Sequence, residues 1–455
     1  MYNVGLGDCI YLRVPDGGKQ VHILIDCGNK FEELQVLKDC LEDLKTMLPD
    51  SDKPSETQEK KKQLDLLVVT HPHEDHFKGI DHDLFKEFEI KQVWLSPAFN
   101  ILGSDEDAEN YHALQGAAMR GLQELAGKNL GAVSQLAMEL LAMSKADTVE
   151  MLCKTLPDEY GIQPTFVTAD TPEDQLQIFE DPAIKLKVLA PMKTIDKLYL
   201  GGKGLVNGEY GTGLSAAEGY EALFRMDEKK DIPQPENISV QDFEQLQKRI
   251  NTSALALVKL AGSVTNNLSV VLLLEWGGLR LLFPGDAEFK SSYKGKVKEK
   301  SCNGSWNVMW EKRGDDLKDV DFLKVGHHGS VTATPWVPKN ANHPMNKLLE
   351  SMLPAPEGDD IPTAVAVVST ERTNCWPSIP DPALMEELGK RVNAQSCCVY
   401  SETFMDKVGD KKVKVTVTKL QPLRTDMEVG GPDEGDGPIP YIEFAAEPNG
   451  TLIRR

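Results

Sequence analysis

The sequence predicts an α/β fold, and three observations carry that prediction. Apolar runs of strand length recur along the chain and end in turns. An amphipathic segment at Phe31–Leu48 has helical spacing, and the stretch from Tyr111 to Leu156 turns to Ala, Leu, Met and Glu with the same period. Three of the apolar runs deliver histidine or aspartate at their ends, where a rigid strand can hand a side chain to a loop that does chemistry.

In chain order, the first 100 residues read as strands separated by turns, interrupted by the Phe31–Leu48 helix and by a polar, charged loop from Pro49 to Gln63. The apolar run Leu64–Val69 then leads into Thr70-His71-Pro72-His73-Glu74-Asp75-His76. Three imidazoles and a carboxylate within six residues are what a closely spaced pair of divalent metal ions needs. Alternate residues of an extended chain point the same way, so His71 and His73 can share one ion. The turn that follows can aim Asp75 and His76 at a second.

Beyond residue 100 lies material that a strand core does not need. A helical insertion is expected over 105–180, with Leu114, Met119, Leu122 and Leu125, then Leu136, Leu140 and Leu141, at helical spacing. A second insertion, 201–265, holds a Gly-Gly-Lys-Gly turn and a helix start at Ser239-Val240-Gln241-Asp242 that fits a capping box. Strand character resumes at Ile184–Ala190 and from Leu268 onward. The run Leu281-Leu282-Phe283 enters Pro284-Gly285-Asp286 and delivers one carboxylate, and Phe322–Val325 enters Gly326-His327-His328-Gly329-Ser330 on the same plan. A strand at Thr363–Ser369, a helix at Pro382–Asn393 and short strands near Cys397–Ser401 and Lys412–Thr418 follow. The Gly-, Pro- and acid-rich stretch Asp426–Gly437 belongs to an expected partly mobile tail, 420–455. The whole, 1–455, reads as a single domain bearing both insertions.

Taken together, Val4-Gly5-Leu6-Gly7-Asp8-Cys9-Ile10, Ile23-Leu24-Ile25-Asp26-Cys27-Gly28, the His71–His76 cluster, Asn266-Asn267-Leu268-Ser269, Pro284-Gly285-Asp286 and Gly326–Ser330 resemble the metallo-β-lactamase superfamily. Within it, they resemble the soluble hydrolase domain of the ComEC competence proteins. The resemblance implies a four-layer αββα sandwich with helical insertions and two divalent ions, zinc ahead of manganese or iron. The ligands it implies are His71, His73, Asp75, His76, a bridging Asp286, and His327, preferred over His328 because it comes first after the strand. His328 is then left to face substrate. Asp8 and Asp26 resemble residues that orient imidazoles or the turn, and Asn267 and Ser330 are expected to support the ligands. In many dinuclear members another histidine reaches the first ion from the strand before the Gly-Asp turn. This chain has Asn266 and Asn267 near there, so one ion site is expected to be weaker or more open to water. The "GHP" turn often found late in competence-like domains is here Asn374-Cys375-Trp376-Pro377.

Hydrolysis is the expected reaction, because two ions acidify water and polarise an electrophile without a serine or cysteine nucleophile. Asp75 would orient or deprotonate that water, while His328, Lys324 or Ser330 would stabilise charge on a phosphoryl oxygen. No apolar run reaches the roughly 18 residues of a membrane span, and the amino terminus lacks a basic region followed by an apolar core. Eight scattered cysteines fit a reducing cytoplasm. A net charge of −21 opposes a plain nonspecific nuclease, since phosphate backbones are drawn to basic surfaces, although Glu59-Lys60-Lys61-Lys62, Glu228-Lys229-Lys230 and Lys290 to Lys300 hold basic clusters. Three functions compete. They are a phosphodiesterase or nuclease acting on nucleic acid or a nucleotide, a hydrolase of a small ester, thioester or lactone, and a partner-regulated component of a bacterial defence or stress assembly that docks a protein through the helical insertion.

Overall fold

Leucine, valine and isoleucine fill the central strands almost without interruption, the pattern of parallel strands buried on both faces. The computed structural model describes residues 1–30, 34–54, 60–100, 110–116, 118, 149–200, 260–358, 360–371, 377–408, 411–423, 441–446 and 451–454. A first sheet contains β1 (Cys9–Asp16), β2 (Lys19–Cys27), β3 (Asp50–Pro54), β4 (Lys60–Val69), β5 (Phe88–Leu95) and β6 (Thr165–Phe166). Its order is β1-β2-β4-β5-β6, with β3 paired to the start of β4. A second sheet contains β7 (Lys185–Ala190), β8 (Val271–Trp276), β9 (Leu279–Phe283), β10 (Phe322–Lys324), β11 (Val365–Glu371), β12 (Cys397–Val408) and β13 (Lys411–Pro422), hydrogen-bonded in reverse chain order. A hairpin of β14 (Phe444–Ala446) and β15 (Leu452–Arg454) follows.

Direction within the sheets is what positions the site. β2, β4, β5 and β6 run parallel, as do β9, β10, β11 and β12, so within each set the carboxyl ends lie along one edge. The two edges are tied together where the Val270 amide donates to the Thr70 carbonyl at 2.9 Å and the Ser96 hydroxyl to the Leu268 carbonyl at 2.7 Å. Ile23, Ile25, Leu66, Val68 and Trp94 of the first sheet share one apolar cluster with Leu272, Leu274, Phe283, Phe322, Val365 and Val367 of the second. On its other face the first sheet packs Leu24, Leu67 and Val69 against Leu37, Cys40, Leu41 and Leu44, the buried stripe of α1 (Leu34–Met47). The other face of the second sheet, with Leu273, Leu282, Leu323 and Val368, clusters with Val308, Leu348, Leu349, Leu384 and Leu388 from later helices.

Several elements differ from the sequence reading. Part of the expected polar loop Pro49–Gln63 is strand, because β3 pairs antiparallel with the charged start of β4. Asp50 faces Lys62 across that pair, with a 2.6 Å ion pair. Charged strands at a sheet margin lack the apolar alternation that pattern reading needs. The two short late strands are each 12 residues long and form one antiparallel hairpin. Thr165–Phe166, inside the expected helical insertion, joins the first sheet beside β5, and residues 441–446 and 451–454 of the expected mobile tail are partly paired. Met119, Leu122, Leu125, Leu136, Leu140 and Leu141 lie outside the described residues, as do residues 201–259 with Ser239–Asp242, 374–376 and 426–437. Among the described residues, no helix is long and apolar enough to cross a membrane.

His112 is buried in the helical residues 110–116, and burial holds its pKa down at about 4, against a backbone hydrogen bond with Asn100 that raises it. A folded pKa below the unfolded value of about 6.5 means the unfolded chain takes the proton first. The contribution is therefore full above about pH 6.5 and drains as pH falls toward 4. Denaturant unfolding of a His112→Asn variant should show about 2 kcal/mol less stability loss between about pH 7 and pH 5 than the parent. Equal pH dependence in the two proteins would contradict this.

Candidate metal centre

Asp26, next to last in β2, takes a left-handed backbone, φ 57°, and its carboxylate reaches the end of β4. Its Oδ1 accepts the Thr70 amide at 2.7 Å and its Oδ2 the Thr70 hydroxyl at 2.7 Å. The same Oδ2 lies 2.7 Å from His76 Nδ1, which fixes the ring so that Nε2 faces Asp286 Oδ1 at 3.2 Å. Glu74–Phe77 form a single helical turn, α2, which carries Asp75 and His76 inward together. His71 follows β4 directly. Its Nε2 lies 2.9 Å from His73 Nδ1 and 3.7 Å from Asp286 Oδ2.

Asp286 arrives from the other sheet. Gly285 takes φ +54°, and a Cβ there would stand 3.1 Å from Ser269 and Thr70 side chains, so glycine permits the close turn. The Asn266–Ser269 segment braces that turn. Ser269 Oγ accepts the Asp286 amide at 3.1 Å, and Asn267 Oδ1 accepts the Glu288 amide at 3.2 Å and the Ser305 amide at 2.6 Å.

Two groups of potential ligands share Asp286: His71, His73 and Asp286, and Asp75, His76, Asp286 and His328. Within each group the donor atoms lie within 4.8 Å of one another. Imidazole nitrogen and carboxylate oxygen without thiolate suit a divalent ion. His73 Nε2, Asp75 Oδ1, His76 Nε2 and Asp286 Oδ2 are buried with no hydrogen-bond partner among the described residues. Unsatisfied buried polar atoms are costly, and their concentration here is what a bound cation would relieve.

Charge follows the same logic. Asp8, Asp26, Asp75 and Asp286 are all buried, and Lys324 is the one buried lysine among the described residues. Burial opposes the charged form of Asp286, yet His76, His327 and His71 hold its carboxyl well below the usual range. Burial is likewise outweighed at Asp75, by Lys30, His328 and His76, and at His76, whose pKa Asp286 and Asp26 lift well above the ordinary value. Burial, with help from neighbouring imidazoles, pushes His71 well below its ordinary value, and burial takes His73 down to about 4. Those two rings are neutral at pH 7, the form in which imidazole binds metal.

His328, and not the expected His327, falls within a candidate ligand group. Both have left-handed backbones, φ 42° and 54°, and the bend turns His328 inward, with Nε2 3.1 Å from Asp75 Oδ2 and Nδ1 3.2 Å from the Ser369 carbonyl. His327 is half-buried beside this group, with Nε2 3.8 Å from Asp286 Oδ2 and Nδ1 3.4 Å from Glu288 Oε1. Ser330 Oγ lies 3.1 Å from His327 Nδ1. Asp286 and then Glu288 outweigh burial and raise His327 to about 9. Lys324, expected to stabilise charge on a phosphoryl oxygen, is buried and paired with Asp8. Sequence reasoning missed Glu288, Ser369 and Lys30. Glu288 stands two residues past Asp286, a spacing that could have flagged it, whereas nothing local marks Ser369 or Lys30.

Residues 2–107 match the family model of the metallo-beta-lactamase superfamily. No curated protein matches the chain. The superfamily match takes in Asp8, Asp26 and the whole His71–His76 cluster and stops before Asp286, His327 and His328. Residues from beyond the metallo-beta-lactamase match thus complete both ligand groups.

Two backbone segments of the matched part meet too closely for a side chain. A Cβ on Gly28 would stand 2.5 Å from the Asp75 carbonyl carbon and the His76 nitrogen. Gly28→Ala is expected to cost about 1–3 kcal/mol by overpacking and, by shifting α2, to weaken zinc or manganese binding. Unfolding and metal titration check it, and an unchanged midpoint with unchanged affinity would refute the tight approach.

Proposed function

We propose that the chain is a dinuclear metal-dependent hydrolase on an αββα scaffold. His71, His73 and Asp286 would hold one ion, and Asp75, His76, Asp286 and His328 the other. The observation that carries this reading is the sharing of Asp286 between two largely buried ligand groups drawn from both sheets. The three apolar clusters, one between the sheets and one on each outer face, support the four-layer arrangement. When bound, such ions supply Lewis acidity toward water and toward the electrophile's oxygen. Asp75 Oδ1, buried and without a hydrogen bond, is available to the second ion, the other oxygen of that carboxylate would orient the attacking water, and the Ser369 carbonyl beside His328 Nδ1 leaves that ring's Nε2 for the ion. Zinc fits this nitrogen and oxygen donor set, and manganese or iron fits its carboxylate share.

A phosphodiester is the substrate class we favour, in nucleic acid or a nucleotide. The support is the likeness of Asn266–Ser269 and Gly326–Ser330 to ComEC-type hydrolase domains, joined to an imidazole, His327, held by Glu288 beside the shared aspartate. A second reading, hydrolysis of a small ester, thioester or lactone, is favoured by the net charge of −21, which repels a polyanion but not a small carbonyl compound.

Incubation of the manganese- or zinc-loaded protein with single- and double-stranded DNA, RNA and dinucleotides, and separately with lactones and thioesters, beside Asp286→Asn, tests both. Phosphodiester cleavage is expected in the parent, lowered by at least on the order of 100-fold in kcat/KM in the variant. Turnover confined to lactones or thioesters selects the second reading. Equal activity of parent and variant excludes the metal centre as the source.

A further inference from the structure

Lys324 has a buried side chain at the end of β10, and its ammonium donates to Asp8 Oδ2. The other oxygen of Asp8 accepts the Ser369 hydroxyl at 2.8 Å, and the carbonyl of that same serine lies 3.2 Å from His328 Nδ1. Asp8 Oδ2 is also 4.0 Å from His76 Nδ1. One internal ion pair therefore lies within a single residue of two members of the second ligand group, His76 and His328.

A third cluster, Asp8, Asp26 and His76, has the donor types of a metal site. All four of its carboxylate oxygens already have partners: Lys324 and Ser369 on Asp8, and Thr70 and His76 on Asp26. The second ligand group, in contrast, leaves Asp75 Oδ1, His76 Nε2 and Asp286 Oδ2 without hydrogen bonds. Adjacent acidic clusters thus differ in one respect, and the ammonium partners one of the four carboxylate oxygens in the satisfied cluster.

We propose that Lys324 is a positioning residue, a resident counter-ion whose pairing with Asp8 keeps His76 on Asp26 and His328 on Ser369, so that both rings present Nε2 to the second ion. The proposal rests on the dinuclear reading above. Without the ammonium, the Asp8 carboxylate would be buried and uncompensated. Its nearest alternative donor is His76 Nδ1, 4.0 Å away and now engaged by Asp26. Rotation of that imidazole toward Asp8 would carry Nε2 away from Asp286.

The test strips the full-length protein with a chelator and reloads it with zinc against a chromophoric competitor, for the parent, Lys324→Met, and the double variant Asp8→Asn/Lys324→Met. In Lys324→Met the second ion is expected to bind about 10–100-fold more weakly with the first unchanged. Adding Asp8→Asn should recover much of that loss, because it removes the uncompensated carboxylate through which the loss arises. Should Lys324→Met not fold, Lys324→Gln, which keeps a hydrogen-bond donor for the Asp8 carboxylate but no charge, takes its place, and a weaker second ion is again expected. A parent that binds two ions with a Lys324 single variant that matches it or loses both ions equally, or a double variant no better than the single one, overturns this inference alone. A parent that binds no ion overturns the dinuclear reading and this inference with it.

Discussion

Asp286 brings a carboxylate to a position where it cannot be left alone, 1% exposed and ringed by His71, His76 and His327. A lone buried carboxylate would cost several kcal/mol, or would shed its charge by taking a proton. Here the neighbouring imidazoles hold it ionised, and its carboxyl stays well below the usual range despite burial. Asp75 is in the same condition. The architecture around them gathers positive or cation-seeking groups onto a few buried oxygens, a balance that the two proposed divalent ions would complete.

Both sheets are needed to do this. β4 and α2 supply His71, His73, Asp75 and His76, and the ends of β9 and β10 supply Asp286 and His328. Parallel strands put these ends on common edges, and hydrogen bonds from the Val270 amide to the Thr70 carbonyl and from the Ser96 hydroxyl to the Leu268 carbonyl hold the edges in register. The backbone is strained where the side chains are aimed. Asp26, His327 and His328 all take positive φ without being glycine, at about 1–3 kcal/mol each, a cost that packing of both sheets must offset.

What sequence could reveal follows from how local each feature is. The His71–His76 cluster was legible because four potential ligands fall within six residues, and Asp286 because it ends an apolar run. The choice between His327 and His328 was not legible, since it depends on a left-handed bend and on a carbonyl of β11. Lys324 was misread for a related reason. Lysine is usually a solvated residue, and its partner Asp8 lies 316 positions away. Ser369 ended an expected strand without any local sign that its hydroxyl and carbonyl would serve Asp8 and His328. β3 escaped because charged sheet margins carry no apolar period.

The central claim is that one carboxylate joins two ions drawn from separate parts of the chain. Crystals grown with zinc and measured on both sides of the zinc absorption edge test it most directly. Two anomalous peaks about 3.5–4 Å apart, each within about 2.0–2.2 Å of a different Asp286 oxygen, are the predicted result. A single peak held by the His71–His76 segment without Asp286, or zinc bound only at the protein surface, would contradict it.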